Sequence, residues 1–221
     1  HKFITPVVNL QGALQSISFK NEESFNFAYD VVDTLGNEKP EKCAMVHLSE
    51  SGEEHRFTFQ DMKKESARAA NYFKSLGIKK GDRVMLILKR HYQFWFAMLG
   101  LNKLGAVAIP ATNQLMEHDF EYRFQAAGIK AIVCTADGDT AHQVDLAART
   151  CPTLEHKIIV NGEREGWRNF DEEYQRFLSY KFLIVAHTSD AVMKCFTFCH
   201  QLCGAFCKNC YEYALSRLLQ R

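Results

Sequence analysis

The chain carries no strong charge of one sign: 27 Lys and Arg stand against 26 Asp and Glu in 221 residues, a formal net charge of +1. Without a net positive field there is nothing to draw in a phosphate backbone, so no nucleic-acid partner is expected. Its basic residues are interspersed with acidic ones, as in KKESARAANYFKSLGIKKGDR, the pattern of a solvated helix face rather than a binding patch. No apolar run approaches the ~20 residues that a membrane span requires. The longest uncharged stretch of the tail, Cys195 to Cys207, is closed by Lys194 and Lys208. No secretory signal is visible, although the first residue is His1 rather than Met, so the chain reads as a fragment or trimmed sequence and organelle targeting stays open. Catalytic signatures are scarce as well. GxGxxG, GxxxxGK[ST] and HExxH are absent, and no Ser-His-Asp spacing or catalytic carboxylate pair stands out. No catalytic residue is assigned.

What is present is enough apolar residue, 47%, for a buried core in one large domain. Eight cysteines without a secretory signal point to a reducing compartment and free thiols, hence an expected cytoplasmic location. Residues 1–25 have weak periodicity and read as an irregular or partly helical lead-in. Phe27, Val31, Val32 and Leu35 then recur at helical spacing, with Gly36 and Pro40 ending the element. CAMVHLS (43–49) and HRFTF (55–59) read as a hairpin around ESGEE. Thr58 and Asp61 have capping-box spacing ahead of a helix whose apolar face is Met62, Ala69, Ala70, Phe73 and Leu76, and Gly77 suits the left-handed position after it. Beyond Gly81, strands and helices alternate. The strands are RVMLIL, AVAIP, KAIVC and KIIV; the helices carry Tyr92, Trp95, Phe96 and Leu99, then Phe120 and Phe124, then residues 140–149. RVMLIL is apolar almost throughout, as a strand covered on both faces should be. This rhythm predicts an α/β domain over 26–176: a mostly parallel sheet with flanking helices and right-handed crossovers. After Phe177 the composition shifts, and 177–221 reads as a separate Cys-rich, helical tail.

Six collinear segments carry a family resemblance: FNFAYDVVD (25–33), HRFTFQDM (55–62), GIKKGDRVMLIL (77–88), LGLNKLGAVAIPATNQL (99–115), HDFEYRFQAAGIKAIVC (118–134) and KIIVNGEREGWRNFDE (157–172). Together they resemble the N-terminal portion of AMP-forming acyl-CoA synthetases, the adenylate-forming superfamily, and within it the medium-chain subgroup. Each segment also has a structural reading: turn glycines at Gly77 and Gly81, a strand entrance at Asp82 and Arg83, a strand end at Pro110, and core aromatics at Tyr92, Trp95 and Phe96. The resemblance implies a two-step reaction. A carboxylate displaces pyrophosphate from ATP, and CoA thiol then takes the acyl group from the adenylate, with Mg²⁺ and a Gly- and Ser/Thr-rich loop holding the phosphates. A loop of the type Thr-Ser-Gly-Thr-Thr-Gly-x-Pro-Lys, which the family places after a segment like REGWRNFDE, does not occur in the 221 residues. The chain is therefore expected to bind no ATP, Mg²⁺ or CoA by itself and to be incompetent alone, a truncated synthetase whose tail replaces the native continuation through a frameshift, a splice or a gene-model error. The competing expectation is a non-catalytic interaction or self-associating module.

Three constellations remain. TADGDTAHQ (135–143) follows a strand and opens a helix, where anions bind. Asp137, His142 and Gln143 are its candidates for a nucleotide edge, against the preferred reading of a polar helix start capped by Asp139 or Thr140. Cys195, Cys199, Cys203, Cys207 and Cys210, with His200, invite a zinc site. Spacings of four nevertheless make a helical stripe rather than two close pairs, so no metal site is assigned. Glu163, Glu165, Asp171, Glu172 and Glu173 read as solvated surface, and His91 and His118 as helix-start residues without partners.

Overall fold

The computed structural model describes residues 3–20 and 23–179. The cysteine stripe with His200 lies outside the described residues. Its centre is a five-stranded sheet built from β5 (Arg83–Ile87), β6 (Val107–Pro110), β7 (Ile129–Thr135), β8 (His156–Val160) and β9 (Arg168–Asn169), in the order β6-β5-β7-β8-β9. Every pairing in it is parallel, as the uninterrupted apolar runs predict. Val84, Leu86 and Leu88 point to one face, Met85 and Ile87 to the other, and all five are buried.

The two faces have different covers. On the first lie α2 (Phe59–Ser75), α3 (Gln93–Leu104) and the short α6 (Phe170–Glu173). On the second lie α4 (Glu117–Ala127) and α5 (Thr140–Ala147), through Phe120, Phe124 and Val144. Burying each of these phenylalanines contributes roughly 2–3 kcal/mol. Helix α2 starts with the predicted capping box: Thr58 Oγ1 accepts the Asp61 N–H at 3.1 Å while Asp61 Oδ2 accepts the Thr58 N–H at 2.9 Å. It is followed by Gly77 at φ +77°, where a side chain would be strained. Helices α2 and α3 approach closely at Gly100, whose missing Cβ would lie 2.9 Å from both Ala69 Cβ and Ala70 N.

The antiparallel hairpin of β3 (Cys43–Leu48) and β4 (Glu54–Thr58) forms as expected and packs Phe57 against Tyr92 and Phe96. Ahead of it, Ala28–Asp33 is π-helical and runs into α1 (Thr34–Glu38), so this element is not the regular amphipathic helix its spacing suggested. Asn26 starts it. Its Oδ1 accepts the N–H groups of Ala28 and Tyr29, and its Nδ2 donates to the Asn102 carbonyl at 2.8 Å. Gly36 does not end this helix. It lies inside α1, buried, because an added Cβ would sit 2.9 Å from the Phe59 carbonyl.

The lead-in is a strand pair, β1 (Ile4–Val8) with β2 (Leu14–Phe19), rather than irregular or helical. Asn9 Oδ1 closes its turn on the N–H groups of Gln11 and Ala13. Period-two alternation is missing because neither face is buried: Val7, Val8, Leu14 and Phe19 are all exposed. Trp95, expected in the core, is 47% exposed, since it lies on the outer side of α3 while Phe96 beside it is buried. Among the described residues no helix is long and apolar enough to cross a membrane.

Candidate functional site

The sheet order locates the place where a ligand would enter. Strand β5 comes first, β6 adds on one side of it, and β7 and β8 add on the other. Outgoing connections therefore diverge between β5 and β7, and in open parallel sheets ligands bind in the crevice beyond the carboxyl ends at such a switch point. Helices α3, α4 and α5 all begin at this end. The chain leaves β5 through Lys89 and β8 through Asn161, non-glycine residues at φ +46° and φ +58°, and turns after β7 at Gly138, φ +78°.

Two polar groups occupy the crevice. At its centre Lys89 Nζ is paired with the Asp137 carboxylate across the β5 and β7 ends. Burial pushes the Asp137 carboxyl up, and the Lys89 ammonium, as donor and as charge, leads the groups that together outweigh this and hold it below the usual range. A Cβ on Gly138 would lie 3.8 Å from the same ammonium. Beyond β8, Asn161 joins three elements. Its N–H donates to Asp171 Oδ2 at 2.8 Å, its Oδ1 accepts from Gln93 Nε2 at 3.2 Å, and its Nδ2 meets His91 Nδ1 at 2.8 Å. Gln93, 1% exposed at the start of α3, also donates to Asp171 Oδ1 at 2.9 Å.

Of the residues proposed for a nucleotide edge, Asp137 alone reaches the crevice. His142 is exposed on α5. Gln143 is buried, accepting the Glu117 N–H at 2.8 Å and donating to Asp139 Oδ2 at 2.7 Å, so it braces the start of α4. Asp139 occupies the cap position of α5 without a side-chain capping bond, and Thr140 Oγ1 turns to the Asn113 carbonyl. His91 and His118 both have partners, Asn161 and Asp119. The acidic stretch is only partly solvated, because Asp171 belongs to the Asn161 cluster and Glu173 Oε2 accepts from Arg168 Nε at 2.8 Å. Asn161 and Gln93 escaped the sequence reading; the Asn161-Gly162 turn dipeptide was the available signal.

A second cluster surrounds Asp145 on α5. Lys157 Nζ and Trp167 Nε1 donate to its Oδ1 at 2.6 and 2.9 Å, and Arg164 Nε donates to Oδ2 at 2.8 Å. Burial raises the Asp145 carboxyl, and the three donors outweigh it and hold the group low. A hollow of about 450 Å³ opens beside this cluster, lined by Ile159, Arg164, Trp167 and the carboxylates Glu163, Glu165 and Glu173. Three carboxylates against one guanidinium repel a polyphosphate or an acid. This hollow is thus not the place for an anionic ligand. In the crevice the Lys89 ammonium is paired with Asp137. Among the described residues no group of three or more His, Cys, Asp or Glu is arranged to hold a metal ion.

Comparison with known proteins decides what scaffold this is. Residues 32–197 match the AMP-binding enzyme family, well over half of the chain. The chain belongs to that family. The match starts within the π-helical turn and runs past the composition shift at 177. Among curated AMP-binding enzymes, the acyl-coenzyme A synthetase ACSM5 of Rattus norvegicus, named as mitochondrial, is 38% identical over 157 residues, 68% of this chain and 27% of that protein. The corresponding mitochondrial ACSM3 of Homo sapiens is 34% identical over 171 residues, 74% of this chain and 29% of that one. The chain thus spans less than a third of the length of these relatives. A crystal structure of the anthranilate CoA ligase AuaEII in complex with anthranoyl-AMP matches at a TM-score of 0.62 and 21% identity, covering 74% of this chain and 30% of that one. At that identity the match speaks for the fold: the parallel sheet and flanking helices are those of the N-terminal part of an adenylate-forming ligase. The resemblance drawn from the six sequence segments holds.

Proposed function

We propose that these residues form the N-terminal scaffold of an AMP-forming acyl-CoA synthetase for medium-chain carboxylates, and that the 221 residues alone do not complete adenylation. The observation that carries the reading is the switch point. Its single central lysine is neutralised by Asp137, and no Gly- and Ser/Thr-rich loop exists in the chain to enclose a triphosphate. In this reading ATP, Mg²⁺ and CoA are ligands of a whole synthetase, and the chain alone holds none of them. Pyrophosphate exchange into ATP, driven by butyrate or hexanoate and measured on the purified chain, is expected at background. Robust exchange, or tight ATP binding by calorimetry, would overturn the reading. The proposed compartment is cytoplasmic, and cell fractionation sets this against the mitochondrial location in the relatives' names.

A second reading, a self-associating or protein-binding module, is favoured by one observation. The β1–β2 hairpin leaves Val7, Val8, Leu10, Leu14 and Phe19 exposed, apolar side chains for which a partner surface would be a cover. Light scattering on the eluting chain discriminates, since a clean monomer across a concentration series removes this reading.

A further inference from the structure

The cluster over the carboxyl ends of β5 and β8 has a definite sense of direction. A carboxylate only accepts hydrogen bonds, so Asp171 forces the amide nitrogen of Gln93 toward its Oδ1. The same nitrogen then faces Asn161, which must present its oxygen there. Asn161 is left with its Nδ2 donor toward His91, and His91 Nδ1 must be the acceptor. The imidazole is therefore neutral, with its proton on Nε2. Gln93 Oε1 is buried and has no partner among the described residues, the cost of an orientation dictated by Asp171.

We propose that His91, Gln93, Asn161 and Asp171 form a proton-operated latch. It ties the connection after β8 to the β5–α3 turn while His91 is neutral, and it releases when His91 takes a proton. An imidazolium carries N–H on both nitrogens, so its Nδ1–H would meet the Asn161 Nδ2–H donor. Turning the Asn161 amide over would set its nitrogen against the Gln93 nitrogen. Turning Gln93 as well would set its oxygen against the Asp171 carboxylate. No arrangement keeps every bond once the proton is on.

The titratable and charged groups around this corner include Arg90 and Tyr92 on either side of His91, the groups that act on or touch Tyr92 (Asp171 on α6, Glu53 and the His47–His55 pair beside the β3–β4 hairpin, Glu65 on α2), and Lys89. The charge of Lys89 is taken up by Asp137. Asn161 suits its left-handed backbone, φ +58°, better than most residues would. The latch does not depend on whether the chain adenylates a carboxylate.

Nitrogen NMR of the whole 221-residue chain at about pH 8 is expected to show His91 protonated at Nε2 with Nδ1 bare. Amide protection over 161–169, corrected for intrinsic exchange, is expected to fall roughly three- to tenfold between about pH 8 and about pH 5. His91→Asn supplies a permanent acceptor and should make that protection independent of pH. Asn161→Gly keeps the backbone conformation and the N–H bond to Asp171, loses the side chain, and should show the low-pH level of protection at both pH values. A proton on His91 Nδ1 at the higher pH overturns the latch, as does an identical pH response in the chain and its His91→Asn variant. Should either variant fail to fold by circular dichroism, the tautomer of the unsubstituted chain still decides.

Discussion

Replacing Lys103 by Met is the sharpest test of how the first face of the sheet is held together. Lys103 lies on α3 with its side chain 2% exposed, and its Nζ donates to Asp33 Oδ1 at 2.8 Å and to the Lys63 carbonyl at 3.3 Å. The Tyr29 ring lies 5.5 Å from the same ammonium. Met keeps most of the apolar stem and removes the charge, leaving the Asp33 carboxylate, 16% exposed, without its main partner. Breaking a buried pair from one side costs about 3–5 kcal/mol. With a urea slope of roughly 2 kcal/mol per molar, the midpoint should fall by on the order of 2 M. The pH dependence has a definite sign. Burial raises the Asp33 carboxyl, with Lys103 and Lys63 pulling it back, and burial lowers the Lys103 amine, with Asp33 opposing. Without Lys103 the carboxyl rises further. A raised folded-state value means stability that is present at low pH and lost as pH rises through it, so the deficit of Lys103→Met should be smaller at about pH 4 than at about pH 7. The double variant Asp33→Leu with Lys103→Met should return to within about 1–2 kcal/mol of the unsubstituted chain, because desolvation of both charges disappears together. A single variant that loses less than about 1 kcal/mol, or a double variant as unstable as the sum of its parts, would refute the reasoning.

Gly100→Ala should destabilise by about 2–3 kcal/mol in the same urea assay, because the new methyl meets Ala69 Cβ and Ala70 N at 2.9 Å on two packed helices. Gly77→Ala, with open space around it and only its positive φ at stake, should cost about 1 kcal/mol, and the reverse ranking would contradict this. Asp145→Asn should cost about 2 kcal/mol near neutral pH and redden Trp167 emission, since an amide cannot accept from Lys157, Arg164 and Trp167 together. Because that carboxyl is held low, its contribution is present above the ordinary aspartate range and lost as pH falls through the lowered folded value; only the unsubstituted chain should show this acid limb. Iodoacetamide under native conditions should label the exposed Cys43 and spare Cys134, whose thiol burial pushes up to about 12, as read site by site by peptide mass spectrometry. Equal labelling of the two would show that β7 is not sealed.

The parallel sheet could be read from one-dimensional order. RVMLIL, AVAIP, KAIVC and KIIV are short apolar runs separated by helical periodicity, and such runs have few places to go except between two helical layers. The capping box at Thr58 and Asp61 and the left-handed Gly77 were equally legible, because caps and turns depend on neighbours three or four residues apart. The β1–β2 hairpin escaped notice because burial imposes alternation and its strands bury neither face. Gly36 was misplaced because its reason for being glycine, the Phe59 carbonyl, is 23 positions away (59 minus 36).

Local composition and order were thus enough for the fold class and the family, since both reside in a scaffold written as contiguous blocks. The pairing of Lys89 with Asp137, of Lys103 with Asp33, of Asn161 with His91 and of Gln93 with Asp171 joins residues up to 78 positions apart. Those contacts exist only once the crossovers have brought the strand ends together. Which polar groups neutralise one another, and which stand free to meet a ligand, was settled there and nowhere earlier.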